Sequence, residues 1–103
     1  MNEMYVKDMW HRTVALSFAD AKAWQARLDA TLTATTAVLN AYPKSAIGLT
    51  PDHIKATAEW KGNYRANQLA FDRLRRFNQV FVRTFKKELA AERKAKRNKI
   101  ATP

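Results

Sequence analysis

The amino-acid sequence predicts an all-α protein: an antiparallel helical hairpin or three-helix unit with a long C-terminal helix, dimerising into a helical bundle. Two segments space their apolar residues at the period of an α-helix. The chain has only two glycines and three prolines, and two of the prolines flank one short connection. Its 103 residues leave room for one domain. We expect this domain to span residues 1–95 and to be followed by a flexible basic tail, residues 96–103.

Residues 1–16 allow two interpretations. Val14, Leu16 and Phe18 alternate with other residues as in a short β-strand, whereas Tyr5, Met9 and Leu16 could share one face of a helix. A lone strand would have no partner in this chain, so the sequence favours a helix here.

Residues 17–42 have the clearest helical pattern. Ser17 and Asp20 have the spacing of a capping box, with Asp in place of the usual Glu or Gln. At 100° per residue, the apolar and threonine side chains that follow fall within an arc of about 100°. That predicted stripe comprises Trp24, Leu28, Thr31, Leu32, Thr35, Leu39 and Tyr42.

A loop over residues 43–50 and a second, longer helix follow. The loop includes a proline and a glycine, which are typical of turns. Thr50, Pro51 and Asp52 then predict a helix start, because they place a hydroxyl, a proline and an acid where helix N-termini favour them. From there one apolar face continues to about residue 95, with Gly62 as the only weak point.

The two predicted helices differ in length. At 1.5 Å per residue, a helix over 51–90 is about 60 Å long, but one over 17–42 is only about 39 Å. The shorter helix cannot cover the apolar row beyond residue 76, so we expect residues 1–16 and a second copy of the chain to cover it together. This candidate partner interface comprises Trp10, Phe77, Phe81, Phe85 and Leu89.

Two asparagines interrupt the apolar face of the second helix. Asn67 and Asn78 either fix the register of the packed helices or lie at the edge of the packed face and meet water.

The positive charge is concentrated in the last third of the chain. From Asp72 to Pro103 there are eleven Lys/Arg and three Asp/Glu, whereas residues 1–71 hold eight and six. Such an excess attracts polyanions through a salt-sensitive interaction. The sequence therefore predicts a non-enzymatic protein that binds nucleic acid or a nucleoprotein mainly through phosphate contacts.

Helical spacing collects these cations on the side of the second helix that lies away from its aromatic residues. The alternative is a protein–protein interaction module, a small accessory or inhibitor protein such as a phage or plasmid encodes, that meets an acidic surface on a host protein complex. The candidate nucleic-acid-binding residues are Arg65, Arg76, Arg83, Lys86, Lys87, Arg93, Lys94, Lys96 and Arg97.

Other classes of function are disfavoured. The chain has no cysteine, and His11 and His53 have no carboxylate at a metal-ligand spacing such as HExxH, so we expect no catalytic site, metal or cofactor. No apolar run approaches the roughly 18–20 residues of a membrane span, and the N-terminus lacks the pattern of a secretory signal. We expect a cytoplasmic protein, in the host cytoplasm if the gene is viral.

Overall fold

The structure, a computed structural model, describes residues 2–101 and the side chains of residues 2–99. Two strands, β1 (Met4–Lys7) and β2 (Thr13–Leu16), precede four helices in this range. The helices are α1 (Phe18–Asn40), α2 (Asp52–Lys55), α3 (Ala58–Thr84) and α4 (Lys86–Ala101).

The chain is mostly helical but not all-α, so the predicted fold class is wrong. Residues 4–16 form an antiparallel β-hairpin in which Met4 pairs with Leu16 and Lys7 with Thr13. The objection that a strand would have no partner fails because this one segment supplies both strands. Met4 and Leu16 are buried, while Tyr5 on the opposite face of the hairpin is exposed.

Helix α1 begins as the sequence predicts. The Ser17 hydroxyl accepts a hydrogen bond from the backbone N–H of Asp20 at 3.2 Å, which satisfies a donor that a helix start would otherwise leave free. The helix ends at Asn40, two residues earlier than expected.

The predicted single helix over 51–95 is three helices. Pro51, and not Thr50, occupies the N-cap of α2, which ends after one turn. Thr57 then starts α3, since its hydroxyl accepts the backbone N–H of Trp60 at 3.2 Å. The first interruption of the predicted helix therefore lies at Ala56–Thr57, between α2 and α3. Gly62, where the sequence predicted a possible kink, lies inside α3.

Helix α4 continues through much of the predicted tail. The helix extends to Ala101, so residues 96–101 are helical where we expected a flexible segment. The remaining tail residues, 102 and 103, lie outside the described part of the chain.

The contacts divide the chain into two compact units. The first unit consists of two separate stretches of the chain, the described residues up to Gln25 and those from Arg76 onward. The second unit is the continuous stretch Ala26–Arg75.

The first unit has an aromatic core. Phe77, Phe81 and Phe85 are 7%, 3% and 0% exposed. The Phe18 ring lies 6.0 Å from that of Phe81 and 5.3 Å from that of Phe85, centre to centre. Ala21 is buried in the same unit, as are Met4 and Leu16 of the hairpin.

This core removes the premise of the predicted dimer. Residues 1–16 and a second chain were both expected to cover the phenylalanine row, but the first unit covers Phe77, Phe81 and Phe85 itself. Asn2, just ahead of β1, donates from Nδ2 to the backbone carbonyl of Thr84 at 3.1 Å. The N-terminal segment is therefore part of the cover.

The second unit pairs α1 with α3 through polar contacts. Asn67 donates from Nδ2 to the hydroxyls of Thr35 and Thr36, at 3.0 and 2.9 Å. Asn63 donates to the Tyr42 hydroxyl at 2.8 Å. Since residue numbers rise along one helix as they fall along the other, the helices are antiparallel here.

Both asparagines singled out from the sequence bond across a helix pair. Within the first unit, Gln25 donates from Nε2 to Oδ1 of Asn78 at 2.8 Å, and Asn67 does the equivalent in the second unit. This geometry favours the register-setting interpretation over solvated edge positions.

Replacing Phe85 tests the aromatic core. Phe85→Ala empties a fully buried position, and we expect the free energy of unfolding to fall by about 3–5 kcal/mol. Val82→Ala, at a site 55% exposed, is the matched control, with a cost of less than about 1 kcal/mol. Urea denaturation followed by circular dichroism measures both, and equal destabilisation would contradict the described core.

Candidate nucleic-acid interface

A row of cations runs along the outer side of α3 and α4 in the first unit. We call Arg76, Arg83, Lys87 and Lys94 the basic ridge. Their spacings of seven, four and seven residues place them on one side of a helix. All four side chains are exposed.

The aromatic core determines which way the ridge faces. Phe77, Phe81 and Phe85 occupy the side of the helix that is buried, and the ridge lies away from them. Phe85 separates α3 from α4, yet its N–H bonds to the Phe81 carbonyl at 3.0 Å and its carbonyl accepts the Leu89 N–H at 2.9 Å. The i to i−4 hydrogen bonding therefore continues past the interruption, and the helical phase is kept.

Further cations flank the ridge on α4. Arg93, Lys96 and Arg97 line a shallow depression together with Ala90. Lys86 is exposed one position before Lys87. The structure thus brings eight of the nine predicted phosphate-binding residues into the first unit. Arg65 is exposed but belongs to the second unit and is not part of the ridge.

Little negative charge is available nearby to neutralise these cations. Beyond Arg76 the acids are Glu88 and Glu92. Glu92 forms an ion pair with Lys22, and Glu88 is half-buried with one carboxylate oxygen accepting from Asn2 at 3.4 Å. The salt bridges Lys22–Glu92 and Arg75–Asp72 do not involve the ridge.

Four of the five residues of the predicted partner interface are not exposed. Phe77, Phe81 and Phe85 are buried, and Leu89 is half-buried, because the unit uses them for its own core. Trp10 is the exception: it is 69% exposed at the end of the hairpin, beside Met9 at 82%.

The hairpin turn that presents Trp10 is held by Asp8. One oxygen of its carboxylate, Oδ1, accepts the backbone N–H groups of Trp10 and Arg12, both at 2.9 Å. The Asp8 N–H bonds to the Arg12 carbonyl and its carbonyl accepts the His11 N–H, both at 3.0 Å. His11 has a φ of 59°, the left-handed conformation that closes a three-residue hairpin loop.

Sequence reasoning missed Tyr5, Lys7 and Arg12 as surface residues of one element. A helix over 1–16 places Lys7 on the side opposite Tyr5, whereas the hairpin places Tyr5 and Lys7 together on its outer face and Arg12 after its turn. One signal in the sequence indicated two strands. Met4 and Val6 alternate with Tyr5 and Lys7, and Val14 and Leu16 alternate in the same way with their neighbours.

The described residues include no group of three or more His, Cys, Asp or Glu side chains that could hold a metal ion. Over the same range, no helix combines the length and apolar character needed to cross a bilayer.

Comparison of the chain with protein-family models, curated proteins and solved structures returned no match.

Removing the Asp8 carboxylate tests the turn. Asp8→Ala deletes the acceptor shared by two backbone N–H groups, and we expect faster amide hydrogen exchange at Trp10 and Arg12. Glu3→Ala removes an exposed acid of equal charge outside the turn and serves as the control. Unchanged exchange in Asp8→Ala would show that the carboxylate does not organise the loop.

Proposed function

We propose that this protein binds nucleic acid, free or within a nucleoprotein, through phosphate contacts made by the basic ridge and its flanking cations. The observation that carries the proposal is a row of exposed cations, without ion-pair partners among the described residues, on the outer side of a helical segment whose inner side is an aromatic core. Each such cation can meet a phosphate and release a condensed counterion.

The dimensions of the ridge suit a polyanion with regularly spaced charges. From Arg76 to Lys94 the helical rise amounts to about 27 Å. That length corresponds to roughly 8 base pairs of duplex at 3.4 Å each. Phosphate contacts of this kind are tolerant of base sequence, so the proposal is for binding without base-specific recognition by the ridge.

The wider proposal is a non-catalytic role in the cytoplasm. The ridge is a convex row of cations, and binding phosphates there requires no nucleophile, metal or cofactor.

An acidic protein surface is the second candidate partner. It is favoured by one observation outside the ridge: Ile47 and Leu49, in the connection between α1 and α2, are 80% and 58% exposed. Exposed apolar residues of this kind can serve as anchors in a protein interface. In this alternative the basic ridge would steer the acidic partner and the loop would dock on it.

Neutralising the ridge tests the proposal. In the triple variant Arg76→Gln, Arg83→Gln and Lys87→Gln, we expect weaker binding to a labelled duplex and a shallower dependence of log affinity on log salt concentration. The slope should fall by about 0.9 for each phosphate that the variant no longer neutralises. Fluorescence anisotropy over rising KCl gives the slope, and circular dichroism should show unchanged helix content.

A matched variant separates position from net charge. Lys55→Gln, Lys61→Gln and Arg73→Gln remove the same charge from exposed positions of the second unit. We expect this variant to keep a slope close to that of the wild type. If both triple variants show an equally shallow slope, net charge and not the position of the ridge determines binding. If the wild type binds no polyanion at low salt, the protein partner is favoured.

A further inference from the structure

Exposed aromatic and basic side chains lie on the outer face of the β-hairpin (Tyr5 and Lys7), in its turn (Trp10) and directly after the turn (Arg12). We call Tyr5, Lys7, Trp10 and Arg12 the hairpin strip. Tyr5 is 64% and Trp10 69% exposed, and neither ring stacks on another aromatic ring among the described residues. The cross-strand neighbour of Tyr5 is Ala15, whose single methyl group leaves most of the tyrosine ring uncovered.

The strip is held in place before any ligand arrives. Lys7 donates from Nζ to the Thr13 hydroxyl at 2.8 Å across the strands. The Asp8 carboxylate accepts the N–H groups of Trp10 and Arg12, which fixes the backbone that carries these two residues. A surface ordered in this way loses less conformational entropy on binding than a flexible loop does.

The chemistry of the strip favours one class of ligand. Flat exposed rings bind the faces of other rings, and cations beside them bind anions. Residues 5–12 hold Lys7 and Arg12 against the single acid Asp8, so this segment has a net positive charge. Unpaired bases joined by phosphates offer both groups at short spacing, whereas the bases of a duplex are already stacked on one another.

We propose that the hairpin strip binds single-stranded nucleic acid, with Trp10 and Tyr5 stacking on unpaired bases and Lys7 and Arg12 contacting the flanking phosphates. This rests on the proposed function and adds a preference to it, because the basic ridge alone would bind the phosphates of single and double strands alike. The protein then binds best where a duplex opens, or at single-stranded loops.

Removing the rings tests this preference. Trp10→Ala and Tyr5→Ala should each weaken binding to labelled oligo(dT) about 5- to 150-fold, the effect of removing one stacked base. Affinity for a duplex of the same length should stay within about twofold. Trp10→Phe should retain most of the affinity for oligo(dT), since a phenyl ring can still stack.

Two further measurements test whether a loss of affinity comes from the hairpin rings themselves. They control for misfolding of a variant and for the loss of any exposed aromatic side chain. Phe71→Ala removes an aromatic side chain that is 54% exposed in the second unit, and its affinity for oligo(dT) should match the wild type. Tryptophan fluorescence should be quenched when oligo(dT) binds the wild type, and Trp10→Ala should lose that part of the quenching.

The outcomes separate the two proposals. If the wild type binds both nucleic acids with a steep salt dependence and Trp10→Ala does not differ, the strip is not a stacking surface, although the ridge still binds phosphate. Equal weakening of single-strand and duplex binding would also overturn the inference. If the wild type binds neither at low salt, both proposals fail. A blue-shifted Trp10 emission with phosphatidylserine vesicles, without a response to oligo(dT), would assign the strip to a lipid surface instead.

Discussion

The aromatic core of the first unit is the constraint on which the rest of that unit depends. Phe81 and Phe85 are almost fully buried against Phe18, and this burial fixes the rotation of the C-terminal helical segment. Once that rotation is fixed, Arg83 and Lys87 can only face outward. The basic surface is therefore a consequence of core packing, and a change that loosened the core would also scatter the cations.

The N-terminal hairpin serves the same core. Its inner residues Met4 and Leu16 are buried, so the two short strands contribute apolar surface as well as their own ladder of hydrogen bonds. An isolated two-stranded hairpin is marginally stable in water. We infer that packing within the first unit stabilises the hairpin, while Tyr5 on its outer face and Trp10 in its turn stay exposed.

Helix α1 and its Ser17 cap could be predicted from the sequence, because local spacing and end signals are sufficient for them. The strands of the hairpin had a signal in their alternation, but its turn had none, since Met9, Trp10 and His11 are not typical turn formers. That turn depends on the Asp8 carboxylate and on a left-handed His11. Both are specific contacts that residue propensities do not encode.

In the candidate site, too, the features set by local sequence could be predicted and those set by distant contacts could not. Arg76, Arg83, Lys87 and Lys94 could be placed together because helical periodicity is a local property of the sequence. Their phase is also preserved across the interruption at Phe85, where the hydrogen bonds continue. A cover for the phenylalanines was expected, but its composition could not be foreseen, because it depends on Phe18 and the hairpin, both distant in sequence. A pattern that shows an apolar stripe does not show what covers it.

The distribution of charge between the units adds a physical reason for the proposed function. Residues 1–25 and 76–103, the sequence of the first unit, hold twelve Lys/Arg and five Asp/Glu, whereas Ala26–Arg75 holds seven and four. Concentrating like charges around one core opposes folding through self-repulsion. Solubility alone would be served as well by mixed charges spread over both units, which would avoid that cost. A bound polyanion relieves the repulsion in the folded state, so it would stabilise the unit that carries the ridge.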